Sequence, residues 1–141
     1  METIVIKAIR HQLTWPIRQE VMYPDLPLEA VILEDEEEGL HFGLYVDNQL
    51  KSIVSLFWQE DIYRFRKFAT LAKEQGRGYG SALLRHIIQY AKDRGGSKIW
   101  CNARSSASGF YAQFGFKITG ENFTKNTIDF VKMELNLLIP S

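Results

Sequence analysis

The chain has 141 residues, a length that fits one domain, residues 1–141, whose core needs no disulfide or metal staple. Its 17 basic and 17 acidic side chains cancel to a formal net charge of +0, which gives no general pull toward nucleic acid or a membrane surface, so any polyanion site must be local. A lone Cys101, no secretion signal after Met1 and no apolar run near the ~20 residues of a membrane span point to a soluble, cytoplasmic protein.

Residues Ile4 to Ile9 are rich in β-branched side chains and read as a strand. Thr14-Trp15-Pro16 follows, where Thr14 is placed to cap a helix that Pro16 enters in its first turn and that ends near Met22. Tyr23 to Gly39 carries Pro24, Pro27 and the acidic run Glu34 to Glu38, and reads as an irregular excursion whose acidic run is solvated. Leu40 to Val46, the turn Asp47-Asn48-Gln49 and Leu50 to Gln59 make a β-hairpin, and Tyr63 to Leu71 the next strand.

From Ser81 to Arg94 the apolar period becomes helical, with Leu83, Leu84, Ile87, Ile88 and Ala91 on one face, and Gly95-Gly96 stops it. Lys98 to Asn102 is then a strand parallel to the one at Tyr63, because a helix joins them. A short helix runs from Ser105 or Ser106 to Phe114, with Gly115 as its stop, and Phe116 to Thr119 and Ile128 to Leu135 close the chain as a strand pair. The order defines an α/β domain with a mixed sheet and one strand-helix-strand crossover.

Gln75-Gly76-Arg77-Gly78-Tyr79-Gly80 lies between the Tyr63 strand and the long helix. Glycines at alternate positions let the main chain approach a ligand, and the positive end of the helix dipole favours an anion there. The dinucleotide fingerprint fails because its sixth position is Ser81, and the P-loop pattern fails because no lysine follows Gly80. A phosphate cradle and a plain connecting turn both remain open on spacing alone.

Gln75-x-x-Gly78-x-Gly80 at this junction, followed one helix and one strand later by Phe110-Tyr111-x-x-Phe114-Gly115-Phe116, resembles the GNAT superfamily of acyl-CoA-dependent N-acetyltransferases. The stretch Arg18-Gln-Glu-Val-Met-Tyr-Pro is similar to that of small bacterial members. The resemblance implies a mostly antiparallel twisted sheet, splayed between the Tyr63-Leu71 and Lys98-Asn102 strands and flanked by three or four helices. It also implies acetyl-CoA as co-substrate. Main-chain amides of Gln75, Gly76, Arg77, Gly78, Tyr79, Gly80 and Ser81 would hold the pyrophosphate, and Phe68, Ala69 and Thr70 would pair through their backbone with the pantetheine arm. Asn102, Ala107 and Phe110 would line the same tunnel, with Arg77 and Lys73 adding local charge.

In the same resemblance Tyr111 stands near the thioester sulfur. A phenol of pKa near 10 is protonated at neutral pH and can give its proton to a departing thiolate, so Tyr111 is the expected general acid. The expected donor to the oxyanion is a backbone amide near Thr70. The Tyr63 strand offers Arg64, Arg66 and Lys67 and no carboxylate; Glu60 and Asp61 just precede it. The expected reaction is acetyl transfer to a primary amine of a small molecule or peptide, with a non-catalytic acyl-CoA-binding regulatory module as the alternative. His11, His41 and His86 show no ligand spacing, so no metal is expected. Cys101 is expected in the core, as are at least two of Trp15, Trp58 and Trp100. An exposed strand near the C-terminus is one that a second copy could use to form a homodimer.

Overall fold

A computed structural model describes residues 2–138. It is a mixed α/β fold with a mostly antiparallel sheet, organised as two compact units. One contains residues up to Phe57 together with Arg66–Gln89; the other contains Trp58–Phe65 and the chain from Tyr90 onward.

In the first unit, β1 (Ile4–Ile9), β2 (Leu40–Val46) and β3 (Gln49–Gln59) pair antiparallel in that order, and β4 (Ile62–Thr70) follows beside β3. The β2–β3 hairpin turns at Asp47 and Asn48, both at positive φ (49° and 69°), as a two-residue turn matched to strand twist requires. Asp47 also clasps the start of β1: its Oδ1 accepts from the Thr3 amide at 2.9 Å, and its own amide donates to the Thr3 carbonyl at 2.9 Å. The helix α1 (Trp15–Met22) ends where the sequence indicates. Thr14 does not cap it. Residues 11–14 already form a 3-10 turn that runs into the helix with Thr14 in a helical conformation, so its hydroxyl donates back to the His11 carbonyl at 2.6 Å.

The helix α2 (Tyr79–Asp93) starts two residues before the periodic pattern does. Leu83, Leu84 and Ile87 are fully buried while Arg85 and Gln89 are exposed, so one stripe of the helix faces the core. Burying each of those three side chains contributes about 1.5–3 kcal/mol.

The second unit holds the start of β4, then β5 (Lys98–Arg104), β8 (Ile128–Asn136) and β6 (Lys117–Ile118), with β7 (Phe123–Lys125) also on β8. The strand β5 runs parallel to β4 over only three residue pairs, Ile62↔Lys98 to Arg64↔Trp100, and antiparallel to β8 over seven, Lys98↔Asn136 to Arg104↔Phe130. The splay the resemblance implies is this early end of the β4–β5 ladder. The expected final strand pair is present, with β7 as an additional strand joined to β8 by Asn126 and Thr127 at positive φ (52° and 65°). The expected second helix is a 3-10 turn over Ser105–Ala107 followed by α3 (Ser108–Ala112). At the end of α2 a side chain on Gly96 would lie 2.9 Å from both the Ala91 carbonyl oxygen and the Tyr63 ring, so only glycine fits that stop.

The tryptophans depart from expectation. Trp58 is 45% exposed, and Trp15 and Trp100 are half-buried, the latter two each having a polar or charged neighbour to serve. Trp15 donates its indole N–H to Glu36, and Trp100 carries cations on its ring.

Candidate active site

The glycine turn and the end of β4 lie together in the first unit. Gly76 and Gly78 adopt φ of +83° and +85°, and a Cβ on either would meet no heavy atom within 4 Å. Their glycines are therefore demanded by conformation, on an open surface, and not by crowding. Gly80 differs: its Cβ would touch Phe68 Cζ and Thr70 Oγ1 at 3.4 Å, which sets the helix start directly against the end of β4. The first helical bond runs from the Ala82 amide to the Gly78 carbonyl at 3.0 Å, so the amides ahead of it have no intrahelical acceptor.

Gln75 is fixed by its side-chain amide, which donates to the Thr70 carbonyl at 3.0 Å. Arg77 and Lys51 both reach Glu74, at 3.5 and 3.2 Å, so the basic charge beside the turn is partly neutralised. Lys73 is exposed. Tyr79 buries its ring and donates its hydroxyl to Glu2 at 2.9 Å, leaving its main chain as what it can offer a ligand at the turn. Ser81 is half-buried on the first turn of α2.

In β4, Ala69 is buried against Ile17 and Ile53, and its carbonyl accepts from Ser52 Oγ at 3.1 Å, while Thr70 Oγ1 and Ser52 Oγ share a 2.8 Å hydrogen bond. Phe68 is half-buried. Just before it, Lys67 sits at φ +55° inside the strand. A non-glycine residue in that region costs about 1–3 kcal/mol, and such distortions gather at functional sites. Its ammonium donates to the Tyr23 hydroxyl at 2.8 Å and lies 4.8 Å from that ring's centroid, which helps hold the distorted residue. Nothing in the residue type marks Lys67 for this conformation.

In the second unit, Tyr111 is half-buried among aromatic rings, with centroids 5.2 Å from Phe110, 5.8 Å from Phe65 and 5.9 Å from Phe116. Burial, with a smaller contribution from Cys101, pushes its phenol well above the ordinary value, so it carries its proton throughout the neutral range. Phe110 also packs against Phe114 at 5.2 Å. Ala107 ends the 3-10 turn before α3, and Asn102 is exposed on β5 opposite Lys132. Cys101 is buried, as expected, and its thiol is pushed up to about 12 by that burial, which leaves it no nucleophilic role at neutral pH. Glu60 and Asp61 are exposed in the turn before β4. No group of three metal-ligating side chains occurs among the described residues.

The acidic run is not a solvated stretch throughout. Glu36 is 3% exposed and ion-paired with Arg18, which is 0% exposed. Trp15 Nε1 donates to the same carboxylate at 2.9 Å, and His11 Nδ1 lies 3.3 Å from it. Arg18 further donates to the Val31 carbonyl at 2.8 Å and to Ser55 Oγ at 2.9 Å. His41 completes the cluster between Ser55 Oγ at 2.7 Å and the Glu36 carbonyl at 2.8 Å. A carbonyl only accepts, so Nε2 carries the imidazole proton and Nδ1 accepts from Ser55, whose oxygen accepts in turn from Arg18. Asp35 adds an ion pair with Arg66 on β4 at 3.0 Å. Partners 18 or more residues upstream, Arg18 with Trp15 and His11, distinguish Glu36 from its exposed neighbours Glu37 and Glu38.

An acetyltransferase of the GNAT type is the class that this fold, with its glycine turn before α2 and its short β4–β5 ladder, defines. The family model described as an acetyltransferase (GNAT) domain matches residues 17–137, and the chain belongs to that family, whose members transfer acetyl groups from acetyl-CoA. The chain is 34% identical over 127 residues to the uncharacterized N-acetyltransferase YitI of Bacillus subtilis, covering 84% of this chain and 85% of that one. Among solved structures, the ribosomal-protein-S18-alanine N-acetyltransferase of Escherichia coli superposes with a TM-score of 0.84 at 20% identity, over 99% of this chain and 97% of that one. A Bacillus subtilis acetyltransferase solved in complex with CoA gives a TM-score of 0.75 at 19% identity, over 98% and 100% of the two chains.

Proposed function

We propose that the protein is an N-acetyltransferase that takes its acetyl group from acetyl-CoA and gives it to a primary amine of a small molecule or peptide. The observation that carries this reading is the turn itself: two glycines at positive φ on open surface, ahead of a 15-residue helix, with Gln75 tied to Thr70. The residues present fit a diphosphate. Main-chain amides from Gln75 to Ser81 would hold it, the helix dipole adds to the attraction, and the backbone of Phe68, Ala69 and Thr70 would bind the amide-bearing arm. Asn102, Ala107 and Phe110 would contact the rest of that arm. Acetyl-CoA supplies the acetyl group already activated as a thioester. The strained main chain at Lys67 extends the expected oxyanion donor from Thr70 toward the preceding residues of β4. Tyr111 then gives its proton to the departing thiolate sulfur, a role that a phenol held neutral by burial supports.

Calorimetric titration with coenzyme A tests the cradle. Gly78→Glu combines a left-handed site costing about 1–2 kcal/mol for a residue with Cβ and a carboxylate facing phosphate, and binding should be lost. Unchanged affinity in that variant would argue against the cradle. Binding without thiol release across an amine panel would instead favour the non-catalytic module, a reading that the lack of a carboxylate on β4, whose charged residues are Arg64, Arg66 and Lys67, supports.

A further inference from the structure

The sheet of the second unit has two unlike faces. One carries Ile99, Cys101, Ala103, Val131, Met133 and Leu135, all buried. On the other, every described residue from Lys98 to Arg104 and from Phe130 to Asn136 is half-buried or exposed. The register aligns the latter residues in rows. Arg64, Trp100, Glu134 and Lys117 form one row across β4, β5, β8 and β6; Asn102 stands beside Lys132; Arg104, Phe130 and Phe123 form a third. Lys98 and Lys125 lie at the two ends of the same face. It therefore gathers six cationic side chains against one carboxylate, Glu134, in a chain whose overall charge is zero. The face spans roughly 20 Å along β5 and about 14 Å across the strands.

Its centre is held in place. Arg64 Cζ and Lys132 Nζ each lie 4.5 Å from the Trp100 ring centroid, and Lys98 binds Glu134 at 2.9 Å. Holding a cation against a ring lowers the entropy cost of engaging an anion, because the side chain is already ordered. Apolar surface lies between the charges, notably Phe123 stacked on Phe130 at 5.5 Å. The chemistry that matches is an extended segment carrying both carboxylates and apolar side chains. A single-stranded nucleic acid fits less well, since it needs successive open rings for its bases, whereas Trp100 already carries two cations and Phe123 with Phe130 offers one platform at the edge.

We infer that this open, basic sheet face of the second unit is a docking surface for an acidic, apolar-bearing segment of a partner polypeptide. The inference does not rest on the acetyl-transfer reading, although Asn102 on this face is also one of the residues proposed to contact the cofactor's arm.

Fluorescence anisotropy on the full chain tests it, using a fluorescein-labelled twelve-residue peptide that alternates glutamate with leucine or phenylalanine. A labelled uridine twelve-mer is measured beside it. The peptide should bind at 50 mM salt and lose at least tenfold in affinity at 300 mM. Arg104→Glu with Lys132→Glu should cost a further tenfold or more, and Arg104→Gln with Lys132→Gln a smaller loss in the same direction. Lys7→Glu with Lys92→Glu removes as much charge elsewhere and should change affinity less than twofold. An equal loss in that control pair, tighter binding of the uridine probe, or no peptide binding at 50 mM salt would overturn the inference. The glutamine pair keeps the test decisive if the charge-reversed pair fails to fold, as judged by circular dichroism.

Discussion

The buried pair of Arg18 and Glu36 makes the most demanding prediction. Replacing Glu36 with glutamine keeps the shape and an acceptor for Trp15, yet removes the charge that compensates a fully buried guanidinium. Burial already pulls Arg18 below its ordinary value even with the carboxylate present, so the uncompensated cation has no cheap alternative. Breaking one side of a buried pair costs about 3–5 kcal/mol. The bonds of Arg18 to Val31 and Ser55 survive, which favours the lower end, about 3 kcal/mol. Against a total of roughly 5–15 kcal/mol that is a large loss, and urea denaturation would read it directly as a lower midpoint. Glu37→Gln and Glu38→Gln, in the same run but exposed, should each stay within about 0.5 kcal/mol of the parent. A glutamine at position 36 no more harmful than one at 37 would refute the claim that Glu36 is a structural ion.

Four further expectations concern pH, packing and turnover. Burial holds His41 and His86 below the usual imidazole value of 6.5, with the neighbouring Arg18 also opposing a charge on His41. A depressed histidine contributes its stability above the unfolded value and loses it as pH falls. Stability should therefore decline below about pH 6.5, by up to roughly 1.4 kcal/mol per pH unit for His41; a falling melting temperature would report it, and His41→Phe should flatten the decline. Gly96→Ala should cost about 1–3 kcal/mol because backbone and ring close on it, while Gly109→Ala, with no atom within 4 Å of the added methyl, should stabilise α3 by up to about 1 kcal/mol; chemical denaturation of both separates crowding from propensity. Tyr111→Phe should lower the catalytic rate about 10²–10⁴-fold with coenzyme A affinity nearly unchanged, and an unaltered rate on a good amine would remove it from the acid role. Lys67→Ala should weaken rather than relieve the structure, since it gives up both contacts with Tyr23 without leaving the left-handed region; an unfolding midpoint above that of the parent would contradict this.

Much of the framework is legible in the residues because its signals are local. The apolar stripe of α2, the Asp47-Asn48 turn and the paired glycines at 76 and 78 each state their conformation within a few positions. The family resemblance rests on two such local motifs, Gln75 to Gly80 and Phe110 to Phe116. What escapes reading depends on distant partners. Five acids in a row look like a solvated stretch until Arg18 claims one of them, and Thr14 looks like a cap until the turn before it fixes its backbone. The strand β7 is hidden for another reason: Thr127 is a poor candidate for a left-handed turn, so the Asn126-Thr127 reversal carries little signal. Trp100 reads as core because a ring's hydrophobicity says nothing about the cations placed on its faces.

The lysine at position 67 distorts its own strand while its side chain is moored to Tyr23, the residue just past the end of the first helix. Distortion and mooring are therefore inherited together, and the segment cannot be transplanted as a bare backbone shape. A designer borrowing this stretch for another scaffold would have to carry the tyrosine along, or watch the strand relax to a straight ribbon and realign every amide beyond it.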